Sequence, residues 1–133
     1  MVRVVVDTNV LVSALIHHGK PRRVVLKLLQ QHTVILSPQI LAELADVLAR
    51  GKFLVKSSQV DRYLSVLARK SKMVSPEPRF RVVAQDPDDD IVLWTSSAGK
   101  ADYIVTGDRH LLSLKEFKNT EIVNVSQLLD ILR

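Results

Sequence analysis

The sequence predicts an α/β fold, a three-layer α/β/α sandwich with a mostly parallel sheet, formed as one domain by residues 1–133. Short β-branched runs alternate along the chain with longer amphipathic segments, and this alternation is typical of parallel sheets covered on both faces. The length of 133 residues fits a single domain, and a hydrophobic content of 47% supplies its core. No linker, repeat or low-complexity segment interrupts the pattern.

The strands are predicted from short runs rich in β-branched residues, which suit strands buried on both faces of a parallel sheet. Turn residues bound most of these runs, so their lengths are limited to a few residues. The predicted strands are Val2–Val6, Thr33–Leu36, Tyr103–Val105 and Glu121–Val125, with a further short strand at Arg81–Val83.

The helices are predicted from apolar residues at helical spacing and from the residues that start and stop them. Ser37-Pro38 is a strong start, because serine caps a helix and proline fits its first turn. Asp88 is expected to cap a helix that ends at Gly99, and Ser126 to cap the last helix. The predicted helices cover Leu11–Ile16, Pro21 to Leu29, Pro38 to near Gly51, Ser57 to Leu67, Asp88 to Ala98, Leu111–Leu112, and a segment from Ser126 onward.

The chain carries a net charge of +5, and only 5% of its residues are aromatic. A basic protein attracts phosphate-rich partners, whereas few aromatic side chains argue against a stacking platform for single-stranded bases. Any single basic cluster is also explained as a solvated helix end or loop. The clusters are Lys20/Arg22/Arg23, Arg50/Lys52/Lys56, Arg69/Lys70/Lys72 and Arg79/Arg81.

Several classes of protein are excluded by what the chain lacks. It has no cysteine, which excludes a disulfide framework, a zinc–thiolate site and a cysteine nucleophile. It has no Gly-rich phosphate loop and no Gly-x-Ser-x-Gly motif. No apolar run approaches the ~20 residues that span a membrane, and the first residues lack the features of a signal peptide. The sequence therefore predicts a cytoplasmic protein without membrane contact.

Acidic residues stand where the predicted strands and helices meet. Asp7 ends the first strand, and Asp108 follows the strand that ends at residue 105. Asp89 and Asp90 begin the helix that leads into that same strand, and Glu43 lies within the helix after the second strand. Ligands of such sheets bind outside the carboxyl ends of the strands. We therefore expect these carboxylates to face one rim of the sheet.

Binding of Mg²⁺ or Mn²⁺ explains why carboxylates would gather there, because these hard cations take oxygen ligands. A bound metal also turns a water molecule into a nucleophile for phosphate chemistry. Each acid has a structural alternative as well. Asp7 could close a turn, Glu43 could be solvated, Asp89 and Asp90 could complement a helix dipole, and Asp108 could cap the short helix after it.

The chain resembles PIN-domain proteins, in particular the subgroup related to the VapC toxins of bacterial and archaeal toxin–antitoxin pairs. The resemblance covers essentially the whole sequence, and its last stretch is the most specific. It rests on Val5–Val10, on Ser37-Pro38 followed by Glu43-Leu44, on Asp86–Asp90, and on Ala101–Leu112.

The resemblance implies an Mg²⁺- or Mn²⁺-dependent endoribonuclease that hydrolyses RNA and leaves a 5′-phosphate and a 3′-hydroxyl. It also implies an antitoxin protein as a partner. The acids implied as catalytic and metal-binding are Asp7, Glu43, Asp89 and Asp108, with Asp90 as a further metal ligand.

The resemblance also implies that Asn9 and Thr106 do not bind the metal themselves but orient the carboxylates or water that do. Asp89 matches the family's aspartate better than Asp90 does when the helix is aligned. Trp94 departs from the small or polar residues expected at its position, and a place in the core or at an interface is favoured for it.

Three alternative functions remain open. A haloacid-dehalogenase-type phosphatase also begins with an Asp at a strand end, but its first motif needs a second Asp where this chain has Asn9. A phospho-acceptor receiver domain needs paired acids at the first strand and a late Lys, and neither is evident. The third alternative is a non-catalytic RNA-binding or scaffold protein on the same fold.

Two apolar stripes on predicted helices also have alternative interpretations. They could bind an antitoxin segment or a second copy of the chain as a homodimer, or they could form part of the core. Because one face of any such helix must be buried, the core is favoured. The stripes are Leu41/Leu44/Leu48 and Val60/Leu64/Leu67.

Overall fold

The computed structural model describes residues 1–50, 53, 55–76 and 87–133, and it describes the side chains of the last segment from residue 90 onward. Within these ranges the chain forms six strands. They are β1 (Arg3–Val6), β2 (Thr33–Leu36), β3 (Lys72–Met73), β4 (Tyr103–Val105), β5 (Glu116–Phe117) and β6 (Thr120–Val123).

Seven helices accompany the strands in the described ranges. The first five lie before β4, and the last two follow β4 and β6. They are α1 (Thr8–Ile16), α2 (Lys20–Gln31), α3 (Pro38–Ala49), α4 (Ser57–Lys70), α5 (Pro87–Gly99), α6 (Arg109–Leu114) and α7 (Val125–Ile131).

The strands form one sheet in the order β3-β2-β1-β4-β6-β5. Every pairing is parallel except that of β5 with β6, which is antiparallel. The predicted α/β class with a mostly parallel sheet is therefore confirmed. Helix α5 contacts β1, β2 and β4, whereas α1 and α2 pack on each other and α2 on α7. None of the described helices is both long enough and apolar enough to cross a membrane.

The core is built from the central strands and the helix faces that cover them. Val4, Val5 and Val6 of β1 are each 0% exposed, as expected for a β-branched run in the middle of a parallel sheet. Of the two predicted apolar stripes, Leu44, Leu48 and Leu67 are buried, and Leu41, Val60 and Leu64 pack against the core as partly buried residues. The interpretation of these stripes as core is thus confirmed. Trp94, for which core or interface was favoured, is partly buried.

Several predicted boundaries agree with the structure, and β2 and β4 match their predictions residue for residue. Ser37 caps α3, and its Oγ accepts a hydrogen bond of 3.3 Å from the backbone N–H of Ile40. The predicted strand at residues 81–83 lies outside the described residues.

Two predicted caps are wrong. The last strand ends at Val123, and Asn124, not Ser126, caps α7. The side chains of Asn124 and Gln127 each accept the other's backbone N–H at 2.8 Å, so two otherwise unpaired donors are satisfied together. Asp88 is not an N-cap either, because α5 already begins at Pro87 and Asp88 lies in its first turn.

Gly99, at the end of α5, is required by tertiary packing and not by the backbone conformation of the helix end. The left-handed backbone after the helix belongs to Lys100, with φ of 52°. A Cβ atom added to Gly99 would lie 2.6 Å from a side-chain carbon of Ile35 in β2. The glycine therefore allows α5 to pack closely on the sheet.

Candidate active site

Asp7 and Thr106 lie side by side at the carboxyl edge of the sheet. Strands β1 and β4 pair through Val6 and Val105, and the backbone N–H of Asp7 donates to the carbonyl of Val105 at 3.0 Å. The Oγ1 of Thr106 donates to Oδ2 of Asp7 at 2.6 Å and accepts the backbone N–H of Asp108 at 3.0 Å. One buried hydroxyl thus connects the carboxylate of Asp7 to the backbone of Asp108.

The carboxylate of Asp7 is only 7% exposed. Asp7 occupies the cap position of α1, but its side chain makes no capping hydrogen bond to that helix. A buried carboxylate is costly unless its oxygens are paired, and the Thr106 hydroxyl is one partner. The alternative in which Asp7 only closes a turn therefore does not account for its side chain.

Asp108 is partly buried and does cap α6, as its structural alternative proposed. Its Oδ1 accepts the backbone N–H groups of His110 and Leu111 at 2.7 and 3.3 Å. Among the described residues, no hydrogen bond to Oδ2 of Asp108 is recorded. The cap fixes the orientation of the carboxylate and uses one of its two oxygens, so the other remains available at this edge.

Thr8 contributes an unusual group beside Asp7. Its side chain is 1% exposed, and its Oγ1 has no hydrogen-bond partner among the described residues. Leaving a buried hydroxyl unpaired costs about 1–3 kcal/mol, so this hydroxyl is suited to take up a further hydrogen-bonding or ligand partner. Thr8 could not be identified from the sequence, because its only signal there is its place between Asp7 and Asn9.

The helices α3 and α5 carry the other predicted acids. Glu43 is partly buried in α3, and Asp90 is 1% exposed in the first turn of α5. The helices are joined by a buried hydrogen bond of 3.0 Å from Oγ1 of Thr95 to Oγ of Ser37. Sequence reasoning treated Ser37 only as a helix cap and did not identify this link, because Thr95 follows 58 residues later.

The predicted site residues are therefore only partly brought together. Thr106 joins Asp7 to Asp108, whereas the side chain of Asp89 lies outside the described part of the chain. Asn9, predicted to orient carboxylates, is exposed. Among the side chains that are described, no three His, Asp or Glu residues lie close enough together to hold a metal ion.

The donors at this edge still fit a hard divalent cation. Such an ion is commonly held by one or two protein carboxylates, with waters and substrate phosphates as its other ligands. Asp7 and Asp108 supply carboxylates, and the unpaired Thr8 hydroxyl lies next to Asp7 in a buried setting. An oxygen-only donor set suits hard cations rather than softer metals.

The chain is similar to several known proteins. A protein of Methanocaldococcus jannaschii named uncharacterized protein MJ1680 is 32% identical over an aligned length of 130, and the match covers 93% of this chain and 83% of that protein. The structure of PAE2754 from Pyrobaculum aerophilum is similar with a TM-score of 0.67 at 20% identity, covering 98% of this chain and 89% of the other.

A further similar structure is that of VapBC2 from Rickettsia felis bound to a DNA fragment from its promoter. Its TM-score is 0.65 at 17% identity, and the match covers 92% of this chain and 98% of that chain. At these identities the two solved structures inform on the fold alone. The family model described as PIN domain matches residues 3–110, which include the ends of β1 and β4. The chain therefore belongs to the PIN domain family.

Proposed function

We propose that this protein is a divalent-metal-dependent endoribonuclease whose active centre lies at the carboxyl edge of the sheet around Asp7. PIN domains are typically nucleases. The observation that carries the proposal is the Thr106 hydroxyl, which binds the buried carboxylate of Asp7 and the backbone of Asp108 together. A structural role alone does not require a buried acid to be held at a strand end in this way.

In this proposal Asp7 and Asp108 hold the metal, and Glu43, Asp89 and Asp90 complete the acidic set. The ion would supply an activated water and neutralise charge on the scissile phosphate. Thr106 keeps Oδ2 of Asp7 in one orientation, and the α6 cap does the same for Asp108. Such fixed partners matter because a displaced ligand weakens both metal binding and catalysis.

RNA is the proposed substrate because a net charge of +5 attracts polyanions to a protein whose candidate site is acidic. The same charge also suits a non-catalytic RNA-binding protein. Burial of the intact carboxylate of Asp7 favours catalysis, since binding of RNA alone is served by basic rather than buried acidic side chains.

We also propose that the protein is the toxin of a toxin–antitoxin pair and has a protein antitoxin. The fold similarity to VapBC2 supports this role. An apolar cleft of about 340 Å³ between α2 and α4 would receive a segment of the antitoxin, and Leu26 beside it is 49% exposed. If the role is correct, expression of the native chain in bacterial cells arrests growth and expression of Asp7→Asn does not. Equal growth with both chains would contradict it.

The test of the nuclease is cleavage of single-stranded and structured RNA with Mn²⁺, Mg²⁺ or EDTA. The native chain is compared with Asp7→Asn and Asp108→Asn, and with Asp61→Asn as a control on the exposed part of α4. We expect metal-dependent cutting that both site variants lose and the control keeps. Cutting in EDTA, or products that end in a 2′,3′-cyclic phosphate, would contradict the proposed chemistry.

A further inference from the structure

A cleft of about 360 Å³ between α2 and α7 is strongly basic. Four cationic side chains line it together with one carboxylate and one hydroxyl among its polar groups. The cations are Lys20, Arg23, Lys27 and Arg133, the carboxylate is that of Asp130, and the hydroxyl is that of Ser126.

Two of the cations of α2 lie where they do not stabilise the helix. Lys20 and Arg23 lie in its first turn, which has no acidic residue, although the amino end of a helix disfavours positive charge. Helix α4 shows the favourable arrangement, with Arg69 and Lys70 in its last turn. Departures from a local rule are most often found at functional sites. The charges of α2 therefore suggest a ligand.

Arg22 is different from its neighbours on α2. Its guanidinium donates to the carbonyls of Ala14 and Leu15 at 2.8 and 2.6 Å, and so it satisfies the end of α1. Among the described residues, Lys20, Arg23 and Lys27 make no such hydrogen bonds to the end of a helix, and the partner of Lys20 is the Ser126 hydroxyl of the cleft itself. We leave Arg22 out of the binding surface for that reason.

Among the described residues, few groups satisfy the charges of the cleft. Arg133 pairs with Asp130 at 3.4 Å, but both side chains are more than 70% exposed, so this pair contributes little. Lys20 donates to the Ser126 hydroxyl at 3.2 Å. In the part of the chain that the structure describes, no carboxylate forms a salt bridge with Lys20, Arg23 or Lys27.

One end of the cleft lies at the same edge of the sheet as the candidate active site. Ser126 follows shortly after Val123, the last residue of β6. The carbonyl of Val123 accepts the backbone N–H of Thr106 at 3.0 Å, and Thr106 in turn binds Asp7. The end of the cleft at Ser126 therefore lies on the edge of the sheet that carries Asp7.

We propose that the α2–α7 cleft binds the phosphate backbone of single-stranded RNA next to the active centre, an assignment that rests on the proposed function. Lys20, Arg23 and Lys27 are spaced by three and four residues, so they share one face of α2. They extend over ~10 Å at 1.5 Å per residue, which allows contacts to more than one phosphate. Arg23 can bind a phosphate with two parallel hydrogen bonds, and the lysines act as point charges.

The test is binding of a short fluorescein-labelled RNA, measured by fluorescence anisotropy in EDTA so that no cutting occurs. The variant Arg23→Gln/Lys27→Gln is compared with Arg69→Gln/Lys70→Gln, which removes the same charge from exposed positions of α4. We expect Arg23→Gln/Lys27→Gln to bind the RNA about tenfold more weakly than the native chain. The slope of log affinity against log salt concentration should also become shallower by about 1.4, because two phosphate contacts are lost. The control should stay within about twofold of the native chain.

A variant that is expected to bind RNA more tightly provides a test that loss of folding cannot mimic. Asp130→Asn removes the carboxylate of the cleft, and we expect it to tighten RNA binding by about twofold. Equal weakening by both double variants, unchanged binding by Arg23→Gln/Lys27→Gln, or no RNA binding by the native chain would overturn the proposal.

The failure of this proposal and that of the proposed function can be distinguished by cleavage assays on the same RNA. If the native chain binds through the cleft but cuts nothing with Mn²⁺ or Mg²⁺, the cleft is supported and the nuclease is not. If the native chain cuts and Arg23→Gln/Lys27→Gln binds and cuts equally well, the nuclease stands and the cleft is overturned.

Discussion

The acidic edge of the sheet and the basic α2–α7 cleft are both charged, but the protein holds their charges differently. At the edge, the carboxylate of Asp7 is buried and receives a short hydrogen bond from Thr106. In the cleft, the side chains of Lys20 and Arg23 are exposed. Buried, hydrogen-bonded charges have a fixed geometry, which catalysis requires, whereas exposed charges attract a polyanion without fixing it. In the proposed function, RNA is therefore cut at the edge and bound in the cleft.

The largest expected effect is that of Asp7→Asn on cutting. The amide keeps the shape of the side chain but loses the charge that holds a divalent ion, so we expect kcat/KM to fall by at least about a hundredfold. Binding of RNA in EDTA should be unchanged or tighter, because a negative charge is removed. If Asp7→Asn lost RNA binding to the same extent as cutting, the assignment of separate roles to the two regions would be contradicted.

A smaller effect is expected from Thr106→Val, which removes the hydroxyl but keeps the branched shape. Cutting should fall by about ten- to a hundredfold, because Asp7 loses the group that orients it. The free energy of unfolding should fall by about 1–3 kcal/mol, since buried polar groups lose their partner. Thr106→Ser, which retains the hydroxyl, should recover most of both quantities in cleavage and urea-unfolding measurements.

A matched control for this variant lies at the opposite edge of the sheet. Thr120 is buried, and its Oγ1 donates to the carbonyl of Ala101 at 2.8 Å, far from the candidate centre along the strand direction. Thr120→Val should destabilise the protein to a similar degree without a change in kcat. If Thr120→Val lowers kcat as much as Thr106→Val does, the loss in the latter comes from stability alone.

The cleft should act on substrate affinity under turnover conditions as well. We expect Arg23→Gln/Lys27→Gln to raise KM by about tenfold and to leave kcat within about twofold, because its contacts are the same in the bound ground state and in the transition state. Steady-state kinetics at several salt concentrations would measure both constants. A fall in kcat with unchanged KM would place these residues in the catalytic step instead.

The smallest expected effect is a pH dependence of the stability of the fold. It comes from His32, at the amino edge of the sheet and away from both regions. Nδ1 of His32 accepts the backbone N–H of Val2 at 3.1 Å. Burial, with the charges of the Met1 amino group and Lys27, lowers the pKa of His32 below 6.5. The neutral imidazole thus stabilises the fold fully above pH ~6.5, and this contribution is lost as pH falls through the lowered folded-state pKa.

Urea unfolding of the native chain and His32→Gln between pH 7.5 and pH 5 would show this effect, in a window set by the ordinary histidine pKa of ~6.5. The native chain should lose more stability than the variant as the solution is acidified. Parallel unfolding curves for the two chains would indicate that His32 does not titrate with folding.

The sequence was informative where one local signal decides the structure. The β-branched runs of β2 and β4 have sharp ends, and Ser37-Pro38 is a cap that no nearby residue competes with. At α7, Asn124 and Ser126 are both good caps, and only the reciprocal bonds with Gln127 decide between them. Strands β3 and β5 have two residues each, which is too short for any periodicity to appear.

At the candidate site, too, local features could be predicted from the sequence but long-range contacts could not. The acids at strand ends could be predicted, because parallel strands bring their carboxyl ends to one edge. The contact of Thr106 with Asp7 joins residues 99 positions apart, and that of Lys20 with Ser126 joins residues 106 apart. Such contacts depend on which strands and helices become neighbours, and no local pattern encodes that. Gly99, explained by its packing on Ile35, is a further case.

Asp7 is central to the proposed function, because its carboxylate is proposed to hold the metal ion. Isothermal titration of Mn²⁺ into the native chain, Asp7→Asn and the surface control Asp61→Asn tests this claim without any need to know the RNA target. We expect saturable binding by the native chain and the control, and its loss in Asp7→Asn while thermal unfolding shows that the variant is folded. Equal Mn²⁺ binding by all three chains, or none by the native chain, would contradict the account.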